Sequence, residues 1–118
     1  MSLTGPAWQV LSVSNGRGAL ASVVSGTQLD ATFGENGIVG GSTGCNTYRG
    51  LYTVTGATIA FGSLVSTRRA CPSEEATAQE QAFLAALGAS TRFELRGDRL
   101  TLRDDAGAAQ VDLVRPPG

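Results

Sequence analysis

Along most of this chain apolar and polar residues alternate with a period of two, the signature of short strands with one buried face. Ala7-Trp8-Gln9-Val10-Leu11-Ser12-Val13 reads as the first strand, with Trp8, Val10 and Ser12 sharing a face. Ser14-Asn15-Gly16 turns the chain, and residues 19–24 are apolar but short and ambiguous. Gln28 to Phe33 alternates with Leu29, Ala31 and Phe33 on one side, and Ile38 to Ser42 returns as its hairpin partner after Gly34-Glu35-Asn36-Gly37. The Gly40-Gly41 pair marks a thin or bent strand that another element approaches closely. Tyr48 to Val54 and Thr58 to Phe61 form the next hairpin, Gly62 breaks it, and Leu64 to Ala70 extends again.

The period changes once. Pro72-Ser73-Glu74-Glu75 opens a helix, with Ser73 as N-cap and two glutamates in the electropositive first turn. The helix ends near Gly88, and its apolar stripe is Ala76, Phe83, Leu84 and Leu87. Glu80 falls on that stripe, four residues before Leu84, and is its one misplaced charge. Three strands close the chain: Thr91–Arg96, Arg99–Arg103 after the two-residue turn Gly97-Asp98, and Gln110–Arg115. These elements predict an α+β fold: a single curved antiparallel sheet or partly open barrel of about eight strands, with one α-helix packed across it. Residues 5–115 form the domain, Met1 to Thr4 read as an expression scar or linker, and 116–118 as a tail.

Composition narrows the function classes. With 118 residues, 42% apolar and 16% charged, the chain suits one globular domain with a true core. The net charge is −1 and the arginines are dispersed, which gives no electrostatic case for nucleic acid or an anionic membrane. No apolar run reaches the ~18 residues that span a bilayer.

The stretch from Gly40 to Cys71 concentrates the candidate chemistry. It holds both cysteines, the densest glycine run and three of the nine arginines. Cys45 and Cys71 do not read as a zinc site, because the chain has no histidine, nor as a C-x-x-C redox pair. They are either a disulfide or two neighbouring buried thiols. Glu80 on an apolar face needs a partner, and Arg68 is the best-placed cation, so a buried ion pair locking helix to sheet is expected. Asn46 after Cys45 reads as a tight-turn residue, either Asx-type or at positive φ. Gly16-Arg17-Gly18 lacks the βαβ context of a dinucleotide loop. Triad chemistry lacks a histidine base, and Glu74-Glu75 and Asp104-Asp105 read as a helix cap and a turn.

The run Gly44-Cys45-Asn46-Thr47-Tyr48-Arg49-Gly50-Leu51-Tyr52 resembles the Gly-Cys-Asn-x-aromatic-x-Gly-x-Tyr signature of the META domain, or HslJ-like heat-shock, family. Ser66-Thr67-Arg68-Arg69-Ala70-Cys71-Pro72 resembles its second motif, with Arg69 where an apolar residue is usual. The likeness extends from Trp8 to Val114 and marks Asn46, Tyr48 and Gly50 as structural positions beside the cysteines. It implies a small β-rich bacterial module, often an envelope lipoprotein or secreted domain, without cofactor or established catalysis. The expectation is thus a non-enzymatic, stress-related, envelope-associated protein, extracytoplasmic, a monomer or weak oligomer that binds a protein partner. The alternative is a binder of small hydrophobic ligands inside a lipocalin-like curved sheet.

Overall fold

The structure, a computed structural model, describes residues 3–116. Ten strands and one helix follow in the order β1 (Ala7–Ser14), β2 (Leu20–Ser22), β3 (Asp30–Phe33), β4 (Ile38–Ser42), β5 (Thr47–Thr55), β6 (Thr58–Phe61), β7 (Val65–Ser66), α1 (Glu74–Ala89), β8 (Arg92–Arg96), β9 (Arg99–Arg103) and β10 (Ala109–Val114). Every strand pairing is antiparallel. The order β10-β9-β8-β6-β5-β4-β3-β1 closes on itself through β1–β10, so eight strands form a barrel. The two extra strands lie alongside: β2 on β1 and β7 on β5. The expected curved sheet is therefore present, and it is closed.

Inward residues pair across neighbouring strands. Val10, Leu113, Leu100 and Leu95 make one row through β1, β10, β9 and β8; Val13, Val111, Leu102 and Phe93 make the next. A bulge in β1 between Val10 and Ser12 separates these rows. It inserts one residue, so Val13 takes the inward place that strict alternation gives to Ser12. Opposite, Leu29, Ala31, Phe33 and Val39 are fully buried, and Phe33 meets the Tyr52 ring edge-on at 5.1 Å.

Helix α1 is capped as expected: Ser73 Oγ accepts the Ala76 N–H at 3.1 Å. Its buried residues are Ala76, Phe83, Ala86 and Leu87, while Leu84 is only half-buried. The helix contacts β1 and β10 on one wall and β6 on the opposite wall, so it spans one mouth of the barrel. Phe83 enters that mouth and meets the Tyr48 ring edge-on at 5.5 Å. A second clamp joins helix to loop: Gln79 accepts the Val24 N–H at 2.6 Å and donates to Thr27 at 3.0 Å.

Two sequence readings are revised. Leu3 and Thr4 are part of the domain rather than a leading scar: Leu3 lies in the core, its carbonyl accepts the Trp8 indole N–H at 3.0 Å, and Thr4 bridges to Phe33. Residues 1, 2, 117 and 118 lie outside the described residues. The expected extension from Leu64 to Ala70 shrinks to the two residues of β7, because the chain beyond Thr67 leaves β5 to meet Asn46.

The close approach expected at Gly40-Gly41 comes from β3. A Cβ on Gly41 would overlap both the carbonyl and the carboxylate oxygen of Asp30, whose Oδ1 accepts the Ser42 N–H at 2.8 Å. Gly41→Ala should therefore cost about 2 kcal/mol, read as a drop in the denaturant midpoint with an unchanged slope.

Candidate functional site

The two cysteine-bearing corners meet beneath the helix. The β4–β5 turn carries Thr43 to Asn46, with Gly44 at a φ of 101°. The segment after β7 brings Thr67 to Cys71 alongside, and α1 lowers Glu80 onto both. Cys45 and Cys71 are joined in a disulfide with a Cα separation of 5.4 Å, which resolves the open alternative between bridge and free thiols. Glu80 Oε2 lies 3.4 Å from Cys45 Sγ.

Asn46 is the hub. It is 3% exposed, and its side chain serves four groups distant in sequence. Nδ2 donates to Glu80 Oε2 at 2.7 Å and to the Arg69 carbonyl at 3.0 Å. Oδ1 accepts the Arg69 N–H at 2.7 Å and the Thr67 hydroxyl at 2.8 Å. The expectation of a local Asx turn or positive φ is thus corrected: among the described residues only glycines have positive φ, and the Asn46 amide cross-links three segments. Thr43, fully buried, donates its hydroxyl to Glu80 Oε2 and accepts the Asn46 N–H at 3.0 Å.

The ion pair expected between Glu80 and Arg68 is not formed. Glu80 is half-buried and takes its hydrogen bonds from Thr43 and Asn46, while Arg68 is exposed and makes no ion pair among the described residues. A carboxylate is satisfied by oriented hydrogen-bond donors as well as by a cation, and two donors were already placed by the turn. Arg68→Ala should accordingly leave the melting temperature within about 2 °C of the parent.

The family-signature residues around the corner have packing roles. Tyr48 points into the barrel, donates its hydroxyl to the Asp30 carbonyl at 2.8 Å, and is held well above the usual phenol range by burial and then by the Asp30 charge. A Cβ on Gly50 would sit 2.6 Å from Leu64 Cδ2 and 2.8 Å from the Ser63 carbonyl, so glycine lets the 62–64 segment cross there. Thr43 and Thr67 were missed from the sequence. The signal was thin: two threonines flanking the cysteine motifs, neither on an apolar stripe.

Chemically the corner is a clasp. Glu80 Oε2, the Asn46 amide and the hydroxyls of Thr43 and Thr67 are engaged with one another and with the Arg69 backbone, and no buried polar side-chain atom among the described residues lacks a partner. The sulfurs of Cys45 and Cys71 and a Glu80 oxygen lie within 4.8 Å of one another. The sulfurs are bonded to each other, however, and a thiolate is what a metal would need. An open cleft of about 610 Å³ borders the clasp, lined by Asn46, Glu80 and the chain from Leu64 to Arg69.

A small antiparallel barrel, one mouth spanned by a helix and one corner stapled by a disulfide, defines the class of protein. The chain belongs to the META domain family, whose model matches residues 1–116. It is similar to a protein from Burkholderia xenovorans solved by NMR, with 26% identity and a TM-score of 0.77 over 98% of this chain and 85% of that one. A second NMR structure shares 20% identity and a TM-score of 0.67, over 94% of this chain and 91% of the other. A crystal structure of a DUF4847 family protein from Bacteroides vulgatus shares the fold at 17% identity, with a TM-score of 0.57 over 76% of this chain and 60% of that one. Among curated proteins no relative matches.

Proposed function

We propose that this META domain is a non-catalytic, extracytoplasmic module whose task is to present a rigid surface to a protein partner in the cell envelope. The observation that carries this reading is the disulfide-centred clasp. Disulfides persist in oxidising compartments and are rare in the cytosol. Here the bridge lies among groups that hold the segment after β7 to the β4–β5 turn and, through Glu80, α1 to that turn. No helix among the described residues is long and apolar enough to cross a membrane.

The alternative, a hydrophobic-ligand binder, has less support. Trp8, Phe33, Phe83, Leu100 and Leu102 are buried to within 1% of completely and occupy the space such a ligand would need. Phe61 and Leu84 pack against them from the rim.

The compartment is tested by acid-quenching cells that make the protein naturally, then labelling free thiols with a maleimide polymer. The expected result is no mass shift until a reductant is added. Cysteines found reduced in the quenched cells would overturn the extracytoplasmic assignment. An enzymatic turnover abolished by Glu80→Gln would overturn the non-catalytic one.

A further inference from the structure

Two strands lie beside the closed ring, β2 on β1 and β7 on β5. Strand β7 pairs with β5 through Tyr48–Ser66 and Arg49–Val65 and, among the described residues, has no strand on its other side. Thr67 donates its N–H to the Thr47 carbonyl, so alternation turns the N–H and C=O of Ser66 away from β5, toward the 610 Å³ cleft. An unpaired edge beside a groove is a template for an added strand.

The surroundings of this edge are unusual in two respects. Leu51 and Val65, both outward-facing, are 65% and 63% exposed, the most exposed large apolar residues of the described chain. Three arginines also gather here. Arg49 is the outward neighbour of Val65 on the paired strand, and Arg68 and Arg69 line the cleft. All three are exposed, and none has a carboxylate partner among the described residues. The ion pairs are carried instead by Arg96, Arg99, Arg103 and Arg115, on the β8–β10 side. In a chain of net charge −1, this corner is a local cationic patch with apolar side chains at its centre.

We propose that the β7 edge docks an extended, acidic segment of a partner protein by strand addition. The backbone of that segment pairs with Ser66. Its outward side chains set carboxylates on Arg49, Arg68 and Arg69 and an apolar residue on Leu51 and Val65. Its inward side chains are small and neutral, because Glu80 lines the cleft they enter. Backbone pairing distinguishes this occupant from an anionic membrane, which reads charge and apolar exposure but not a strand edge. The inference rests on the reading of the domain as a protein-binding module and names the chemistry of what it binds.

The test uses a short fluorescein-labelled peptide in which glutamate and valine alternate with threonine, a matched peptide with glutamine for glutamate, and vesicles containing phosphatidylglycerol. Fluorescence anisotropy should show binding of the acidic peptide, weakened by added salt, and none of the glutamine peptide. The double substitution Arg68→Glu/Arg69→Glu should weaken binding by about tenfold or more. Ser66→Pro should abolish it while leaving the melting curve intact, since the lost N–H faces the open side and not the β5 ladder. Should Ser66→Pro fail to fold, the charge reversal and the glutamine peptide carry the test. Failure of the acidic peptide to bind overturns the proposal, as does equal binding by folded Ser66→Pro or a preference for the vesicles. The thiol-trapping result is independent of all three, so a failure here is separable from a failure of the compartment assignment.

Discussion

Removing the Cys45–Cys71 bridge, by Cys45→Ala/Cys71→Ala, should lower stability by about 3–4 kcal/mol. The bridge closes a loop of 26 residues, and the chain-entropy model gives that range for a closed loop of this length. For a domain of 118 residues the loss corresponds to a fall in melting temperature of roughly 12–16 °C. The native fold should survive, because the segment after β7 is also held by Asn46 through both the N–H and the carbonyl of Arg69. The double variant is preferable to either single one, which would leave a lone thiol against Glu80. Scanning calorimetry of the variant, and of the parent with and without reductant, checks the value. A variant that melts within about 3 °C of the oxidised parent would show that the clasp holds without the covalent link.

That loop links the two corners on which the sequence reading depended, and it illustrates what a linear pattern can and cannot supply. The barrel was legible because its inward residues repeat every second position within each strand: Leu29, Ala31 and Phe33, or Leu100 and Leu102, announce a buried face without reference to any partner. Closure was not legible. It depends on β1 reaching β10, a pairing of residues about a hundred positions apart, and on the bulge that re-faces Val13. Nothing local at Leu11 separates a bulged strand from a straight one. The helix was placed well because its cap is written in Ser73 and Glu74-Glu75. Its contact with two opposite walls follows only from the closed ring.

The site shows the same division. That Glu80 needed a partner followed from its position on the apolar stripe, whereas the partner's identity depended on a turn 34 residues upstream. Charge complementarity favoured Arg68. Geometry favoured the amide of Asn46 and the hydroxyl of Thr43, because the β4–β5 turn fixes both donors before the helix docks, while Arg68 follows β7 on its exposed side. Hydrogen bonds from neutral hydroxyls, from Thr43 to the half-buried carboxylate and from Thr67 to the Asn46 amide oxygen, leave no trace in residue type alone, and that is why neither threonine was assigned a role from the sequence.

Asn46→Asp isolates the hub with almost no change of shape. The side chain keeps the oxygen that accepts from Arg69 and Thr67, but the donor 2.7 Å from Glu80 becomes a second carboxylate oxygen. At neutral pH two like charges then share one half-buried contact, with an expected cost of about 2–4 kcal/mol, or roughly 8–16 °C in melting temperature. The pH dependence separates charge repulsion from simple loss of hydrogen bonds. Two close carboxylates hold a proton more tightly than either does in the unfolded chain, so the native pair titrates at a raised pKa. The native state of the variant then binds more protons than the unfolded state, and stability falls as pH rises through that pKa. The gap between variant and parent should therefore be smallest near pH 4, where a shared proton restores a donor between the two oxygens, and widest at pH 7 and above. Asn46→Ala supplies the contrast: it loses the Oδ1 contacts as well as the Nδ2 ones but adds no charge, and its deficit, whatever its size, should vary little over the same range. A deficit for Asn46→Asp that stays constant with pH would mean that Glu80 and residue 46 do not share the contact in solution, and Glu80 would then be held at the clasp by Thr43 alone.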